Sequence, residues 1–124
     1  MPRLEWAMTC DHAFVDPDEK LYILGTFSNI WAPRFPATHG SFFVLTQWTG
    51  DPGEHALVKI RILGPGDALV IEGADAPVEV KGGTFTLLSR FTVIPFSMPG
   101  EYTVQVSADG QVVRALRLTV SQRE

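Results

Sequence analysis

Two alternating runs near the C-terminus, residues 96–120, constrain the fold more than any other part of the chain. They flank Asp109-Gly110, a dipeptide that strongly favours a β-hairpin turn. A loop of only those two residues leaves the apolar faces of the two runs on opposite sides of the hairpin. A three-residue loop, 108–110, places Tyr102 opposite Leu116 and aligns the faces. We therefore predict an antiparallel hairpin with the three-residue loop.

The same period-two alternation recurs along the whole chain. Besides the two strands of the hairpin, the candidate strands are 5–14, 21–27, 41–49, 55–63, 68–72, 78–80 and 84–94. Turns rich in Gly, Pro and Asp separate them, and no segment repeats apolar residues at helical spacing. This pattern predicts an all-β fold, an immunoglobulin-like antiparallel β-sandwich of eight or nine short strands.

Length and composition fit a single domain spanning 1–124. The chain is 45% hydrophobic, which is enough for a packed core, and its one cysteine, Cys10, cannot form an internal disulfide. The first eight residues lack the apolar core of a signal peptide, and no apolar run approaches the ~20 residues that span a bilayer. We expect a protein of the bacterial cytoplasm that has no membrane partner.

The charge of the chain gives no reason to expect a nucleic-acid partner. The formal net charge is −4 at pH 7, so the chain has no general attraction to phosphate backbones. We therefore predict that nucleic acid is not bound.

Two of the predicted strands, 41–45 and 84–94, are apolar on both faces. A strand that is buried on both sides needs cover over its second face. The side chains that need this cover are Phe43, Leu45, Leu88, Ile94 and Phe96. The cover comes either from the 28–40 segment or from another copy of the chain, since contiguous apolar patches mark interfaces. Self-association through these residues, giving a homo-oligomer, is thus one of two expectations.

Regular alternation stops between 28 and 40, where two prolines exclude central ladder pairing. We predict a long ordered loop at one end of the sandwich. Its Trp31, Arg34, Phe35 and His39 are candidates for binding a protein partner, because Trp and Arg are enriched where partners are held. The alternative is that Trp31 and Phe35 fold back and close the open end of the core.

Motifs for catalysis or cofactor binding are sparse. There is no Gly-x-Ser-x-Gly elbow and no Gly-rich phosphate loop, and we predict no cofactor. Cys10 and His12 share one strand face, and with His39 or His55 they form a candidate metal site. That strand face also carries large apolar residues, so we favour a buried thiol and a core histidine.

Residues 10–39 contain the sequence Lys-Leu-x-x-Leu-Gly-x-Phe followed by Phe-Pro, and residues 99–102 read Pro-Gly-x-Tyr. This pattern resembles a family of small, uncharacterised bacterial proteins. The matching positions are Asp11, Lys20, Gly25, Phe27, Phe35 and Pro36. The resemblance implies a compact β-sandwich and carries no known activity, so it assigns no catalytic residue. We expect Gly25 and Pro36 to meet backbone requirements.

The function that fits these observations best is a non-catalytic binding or self-assembling β-sandwich module. In the favoured form the doubly apolar strands make a homo-oligomeric contact, and the 28–40 loop is available to a protein partner. The alternative is a small hydrolase or metal-dependent enzyme. Its site would be built from His12, His39, His55 and nearby acids.

Overall fold

The computed structural model describes residues 1–124 and contains ten β-strands. They are β1 (Arg3–Val15), β2 (Leu21–Thr26), β3 (Asn29–Ala32), β4 (Ala37–Thr49), β5 (His55–Leu63), β6 (Leu69–Glu72), β7 (Ala76–Glu79), β8 (Thr84–Phe96), β9 (Gly100–Ala108) and β10 (Gln111–Gln122). The helical content is one 3-10 turn at Pro65–Asp67. None of it has the length and hydropathy that a membrane-spanning helix requires.

The strands form two sheets that face each other. Sheet A has the strand order β2-β1-β4-β8, and all its neighbours are antiparallel. Sheet B has the order β3-β10-β9-β5-β6, and β7 also pairs with the first half of β5. The prediction of an all-β sandwich is confirmed.

A single hydrophobic core of 18 buried residues fills the space between the sheets. Its largest side chains are Trp48, Tyr102, Phe42 and Phe96, all of which are under 2% exposed. On β4 the even-numbered residues from 42 to 48 face this core, so the odd-numbered residues face outward. The same strand therefore contributes to the core and to the outer surface.

The facing of β8 changes at Val93. Before it, Phe91 packs in the core as an odd-numbered residue, and after it the even-numbered Ile94 and Phe96 do. Val93 has a φ of 56°, outside the β region, and this interrupts the alternation. Ile94 and Phe96 are only 0% and 1% exposed, so their prediction as self-association residues is wrong.

The C-terminal hairpin closes differently from the prediction. Its loop has only two residues, Asp109 and Gly110, with φ angles of 48° and 84°, as a type I′ turn requires. A bulge in β10 after Val112 supplies the extra residue. As a result Tyr102 pairs with Leu118, and not with the predicted partner Leu116. The bulge, and not a longer loop, aligns the apolar faces.

The 28–40 segment is not the long loop that the prolines predicted. Asn29–Ala32 forms β3, which pairs in parallel with β10, and β4 already begins at Ala37. Pro33 and Pro36 lie in the short link between these strands. Each proline removes pairing only at its own position, which allows a strand on either side. This extra strand explains why ten strands form rather than eight or nine.

Gly25 meets the backbone requirement that the sequence predicted. Its φ is +69°, a conformation that favours glycine. A Cβ atom at this position would lie 2.6 Å from Oδ2 of Asp11 on the neighbouring strand. Gly25 therefore allows both the turn of the backbone and the close approach of Asp11.

Candidate interaction face

The outer face of sheet B is polar over most of its area, with paired charges, and carries exposed apolar side chains toward its margins, namely Leu57, Val112 and Trp31. It carries Lys59, Arg61, Thr103, Gln105, Arg117 and Thr119. Nε of Arg117 lies 3.1 Å from Oε2 of Glu101, and Nζ of Lys59 lies 3.6 Å from Oδ1 of Asp75. The paired charges keep the centre of this face well solvated.

The outer face of sheet A is apolar across its two central strands and the edge strand β8. We call it the sheet A face and define it by Trp6, Met8, Cys10, Phe43, Leu45 and Leu88. In its middle row, Met8 pairs with Leu45 across β1 and β4, and Leu45 pairs with Leu88 across β4 and β8. Because paired residues on one face lie close together, the six side chains form one continuous cluster.

An aromatic extension on the β1–β2 hairpin continues the sheet A face. The rings of Phe14 and Tyr22 stack 4.8 Å apart, and each residue is 42% exposed. Leu24, beside them on β2, is 52% exposed. The ring of His12 joins the two regions, because it packs edge-on against Phe43 at a centroid distance of 5.3 Å.

Three of the predicted self-association residues lie on the sheet A face, namely Phe43, Leu45 and Leu88. Phe43 and Leu88 are half-exposed and available for contact. Leu45 is 0% exposed because its neighbours cover it, so its prediction as a contact residue is wrong. It instead supports the side chains of Met8, Phe43 and Leu88, which pack around it.

The 28–40 segment does not cover the sheet A face. Ile30 of β3 is buried in the core between the sheets, and Phe35 packs against that same core. The segment therefore closes the sandwich from the side. Cover over the sheet A face does not come from this part of the chain.

Of the four predicted partner-binding residues of the 28–40 segment, the structure brings only Trp31 and His39 together, in the lining of one small cavity of about 50 Å³. Trp31 is 53% exposed, with the guanidinium carbon of Arg123 4.8 Å from its ring centroid. Arg34 is exposed. Phe35 and His39 are half-buried against the core, and His39 lies edge-on to a core phenylalanine ring 5.8 Å away. Phe35 thus helps to close the core, as one alternative predicted, while Trp31 does not.

The structure separates the three histidines. His12 lies on the outer side of sheet A, His39 packs against the core side of the same sheet, and His55 begins β5 in sheet B. His39 lies near the start of β4, and His55 follows the turn after the end of that strand. The intervening length of β4 is about 30 Å, so these two histidines lie at opposite ends of the sandwich. No three His, Cys, Asp or Glu side chains cluster as metal ligands would. The site that the enzyme alternative requires is therefore not formed from these residues.

The centre of the sheet A face is uncharged. Burial raises the pKa of the Cys10 thiol, and its Sγ donates to the carbonyl of His12 at 3.4 Å. Charges occur only near the margins. Arg90 lies on the edge strand β8, where it pairs with Phe43 of β4. Glu5 lies near the start of β1, where the Thr49 hydroxyl donates to its carboxylate at 2.6 Å and lowers its pKa.

A groove of about 760 Å³ lies at one end of sheet B, beside β7 and the start of β8. Several of its polar groups already pair with one another. Oδ1 of Asp109 accepts from the amide of Leu57 at 2.9 Å, and Nζ of Lys81 lies 3.7 Å from Oε2 of Glu79. The sheet A face is the stronger candidate, because its apolar groups have no partner.

Two solved structures contain a region with this architecture. One is an alkylpurine DNA glycosylase, AlkC, from Pseudomonas fluorescens bound to DNA containing an abasic site analog, with a TM-score of 0.53 and 11% identity. The other is a β-glucosidase from Listeria innocua in complex with isofagomine, with a TM-score of 0.57 and 12% identity.

The match covers 93% of this chain and 30% of the glycosylase, and 97% of this chain and 16% of the glucosidase. The chain thus spans less than a third of either protein, and at such low identity the likeness shows the fold alone.

No curated protein matches the chain in sequence. A sequence model of one protein family does match, over residues 5–121, and the family is described as a family of unknown function. The chain therefore belongs to this family, DUF6941.

Proposed function

We propose that this protein is a non-catalytic binding module that docks onto protein through the sheet A face. The observation that carries the proposal is the contrast between the two outer faces. One is mainly polar with paired charges and has exposed apolar side chains only toward its margins, and the other is a continuous apolar cluster with an exposed aromatic extension. Contiguous apolar surface on a folded domain marks interaction sites.

The side chains on the sheet A face are of the types that stabilise interfaces. Aromatic residues and methionine are enriched at interface cores, and Trp6, Met8 and Phe43 are half-exposed here. Burying one large apolar side chain contributes about 1.5–3 kcal/mol. Because these side chains are already partly buried in the free chain, each contributes only part of this on association, and several together are needed to offset a loss of translational freedom that costs at least about 4 kcal/mol.

The sheet A face is also well preorganised. Its residues lie mainly on β1 and β4, the two central strands of sheet A, each of which is paired on both sides. Regular strands hold side chains more firmly than loops do. A partner that docks here needs little rearrangement of the backbone, so the entropic cost of binding is low.

The proposal includes an immunoglobulin-like topology for the sandwich. Strands β1-β4-β8 and β5-β9-β10 follow the A-B-E and C-F-G order of constant-type immunoglobulin domains. Tyr102, near the start of β9, donates its hydroxyl to the carbonyl of Met98 at 2.7 Å. That bond has the geometry of the tyrosine corner in such domains.

The proposal places the module in the bacterial cytoplasm. Its one cysteine, Cys10, is a free and buried thiol. A fold that is stabilised by a packed core without disulfides suits a reducing compartment.

Site-specific photo-crosslinking in bacterial cells tests the proposal. A photo-reactive amino acid replaces Leu88 on the sheet A face, and in a matched variant it replaces Gln105 on the outer face of sheet B, which is equally half-exposed. We expect a crosslinked protein adduct of defined mass from position 88 alone, and its loss when Phe43→Glu is added. Equal adducts from both positions, or none from position 88, contradict the proposal.

A further inference from the structure

We infer that one edge of sheet B binds an extended segment of a partner protein as an added β-strand. The edge is formed by residues 114–118 of β10, and we call it the open edge of β10. The bound segment carries an acidic residue and an apolar residue two positions apart. Three features carry this inference, namely unpaired backbone groups, two grooves that meet at the edge, and an arginine that has no ion pair.

The backbone groups of the open edge have no partner strand. On this side of sheet B, β3 pairs with β10 only from Thr119 onward. The amide of Thr119 donates to the carbonyl of Ser28, so the odd-numbered residues of β10 direct their backbone groups toward this side. Ala115 and Arg117 therefore present their amides and carbonyls along about 17 Å of unpaired edge, which is a template for another strand.

Two grooves meet at the open edge of β10, as is expected where a strand is missing beside a sheet. One groove, of about 550 Å³, lies along the outer face of sheet B, and the other, of about 370 Å³, lies toward β1. Leu116 and Arg117 line both grooves. Met8 and Phe27 also line the second groove, so it offers apolar contacts to one row of side chains of an added strand.

The side chains beside the open edge specify the chemistry of the segment. Arg114 is half-buried and makes no ion pair with any carboxylate of the chain. Leu116, two positions further on, lies on the same side of β10 and packs against the core. An added strand therefore places an acidic residue opposite Arg114 and an apolar residue opposite Leu116. The carboxylate gives the unpaired guanidinium a charge-assisted partner.

A second copy of this chain is a poorer occupant of the open edge. In every antiparallel register over this short stretch, two copies of β10 place either both Arg114 or both Arg117 side chains opposite or diagonal to each other. Like charges at such positions disfavour the pairing of strands. The bulge after Val112 also ends the regular edge. These features disfavour self-pairing and leave the edge to a segment of opposite charge.

Selection from a random heptapeptide phage library on the immobilised full chain tests the inference. We expect the selected peptides to share an acidic residue two positions from an apolar one. Binding of a selected peptide, followed by fluorescence polarisation, should weaken about tenfold with Ala115→Pro, because proline removes an amide of the edge and its ring obstructs the added strand. Ala115→Thr, the matched variant, keeps the amide and should retain the binding that Ala115→Pro loses.

The proline variant preserves the pairing of β10 with β9, because the amide of Ala115 points away from β9. Circular dichroism checks that it is folded. If it is not, Arg114→Glu replaces it and should weaken binding of the acidic peptide about tenfold through charge repulsion. Hydrogen exchange gives a direct measure of the contact, because the amides of Ala115 and Arg117 should exchange more slowly when the peptide is bound.

Four results overturn the inference. The selection yields no binding peptide, or its peptides lack the acidic and apolar residues at this spacing. Ala115→Pro and Arg114→Glu both leave peptide binding unchanged. Leu88→Glu abolishes binding while Ala115→Pro does not, which places the peptide on the sheet A face. Light scattering shows a dimer of the chain that Ala115→Pro dissociates, which assigns the open edge to a second copy.

Discussion

Phe42 and Phe43 are adjacent in the sequence and lie on opposite sides of β4. Phe42 is 0% exposed in the core, where its ring packs edge-on against Phe27 at 5.6 Å. Phe43 lies on the outer side, where its ring meets His12 at 5.3 Å. One strand thus serves two apolar layers, the core that holds the sheets together and the face that we propose for docking. The two layers should respond differently to substitution.

The first prediction compares Ile94 in the core with Leu88 on the sheet A face. Ile94→Ala should lower the free energy of unfolding by about 2–5 kcal/mol, because it leaves a cavity among fully buried side chains. Leu88→Ala should cost about 1 kcal/mol or less in dilute solution, because solvent already reaches this half-exposed position. Urea denaturation of both variants measures the difference. The reverse order would contradict the assignment of the two layers.

The second prediction concerns Gly25. Gly25→Ala should lower the free energy of unfolding by at least about 1 kcal/mol, because its φ of +69° strains any residue with a Cβ and that Cβ meets Asp11. Gly82→Ala is the matched control, since no atom lies within 4 Å of a Cβ there and its φ is not positive. Adding Asp11→Ala should recover the steric part of the loss and leave the backbone strain. Equal effects of the Gly25 and Gly82 changes would refute this explanation.

The third prediction is a pH dependence from Asp16. Its Oδ1 accepts hydrogen bonds from the amides of Lys20 and Asp18, both at 2.9 Å, and the bond from Lys20 is the main cause that holds the pKa of this carboxyl below its ordinary value. A lowered folded-state pKa gives stability that is present above the ordinary aspartate pKa and is lost as the pH falls through the lowered one.

Asp16→Asn keeps an oxygen acceptor and removes the titration. The stability difference between wild type and this variant should therefore shrink from about pH 6 to about pH 2, as thermal unfolding at a series of pH values would measure. Asp18→Asn in the same turn is the control, because its carboxylate accepts neither of the two bonds. A difference for Asp16→Asn that stays constant with pH would exclude the proposed role.

The fourth prediction concerns Cys10 in the middle of the sheet A face. Burial raises the pKa of its thiol, and the side chain is 0% exposed. Since the thiolate is the reactive form, an aromatic disulfide reagent should modify Cys10 at least about 100-fold more slowly in the native protein than in urea. Removing cover with Met8→Ala should speed the native reaction. A native rate equal to that of the unfolded chain would show that this cluster does not enclose the thiol.

Period-two alternation was enough to predict nine of the ten strands and the sandwich. The strand that was missed, β3, has four residues, and its partner β10 lies about ninety residues further along the chain. Parallel pairing at this distance leaves no mark on local sequence, while the nearby prolines argued for a loop. The hairpin register failed for a similar reason, because a bulge has no fixed sequence signal.

The sequence could predict which residues share a face, but not which face lies inward. Trp6, Cys10 and His12 were placed together correctly and assigned to the core, yet they lie on the outer side of sheet A and His12 is exposed. The inner side of β1 instead carries smaller residues such as Ala7 and Thr9, which pair with core positions of β4. One signal in the sequence could have shown that this face of β1 points outward. Because β4 is apolar on both faces, its outward residues need apolar neighbours on the adjacent strands, and the large apolar face of β1 supplies them.

Oxidative footprinting of the methionines tests the central claim most directly. Met8 lies on the sheet A face, and Met98, which is 50% exposed in the β8–β9 turn, is an internal control on the same chain. The account predicts that oxidation of Met8 by hydroxyl radicals is several-fold slower in bacterial cells, where a docked protein covers the sheet A face, than in the dilute purified chain, while oxidation of Met98 does not change. A Met8 oxidation rate that is the same in cells and in dilute solution would contradict it.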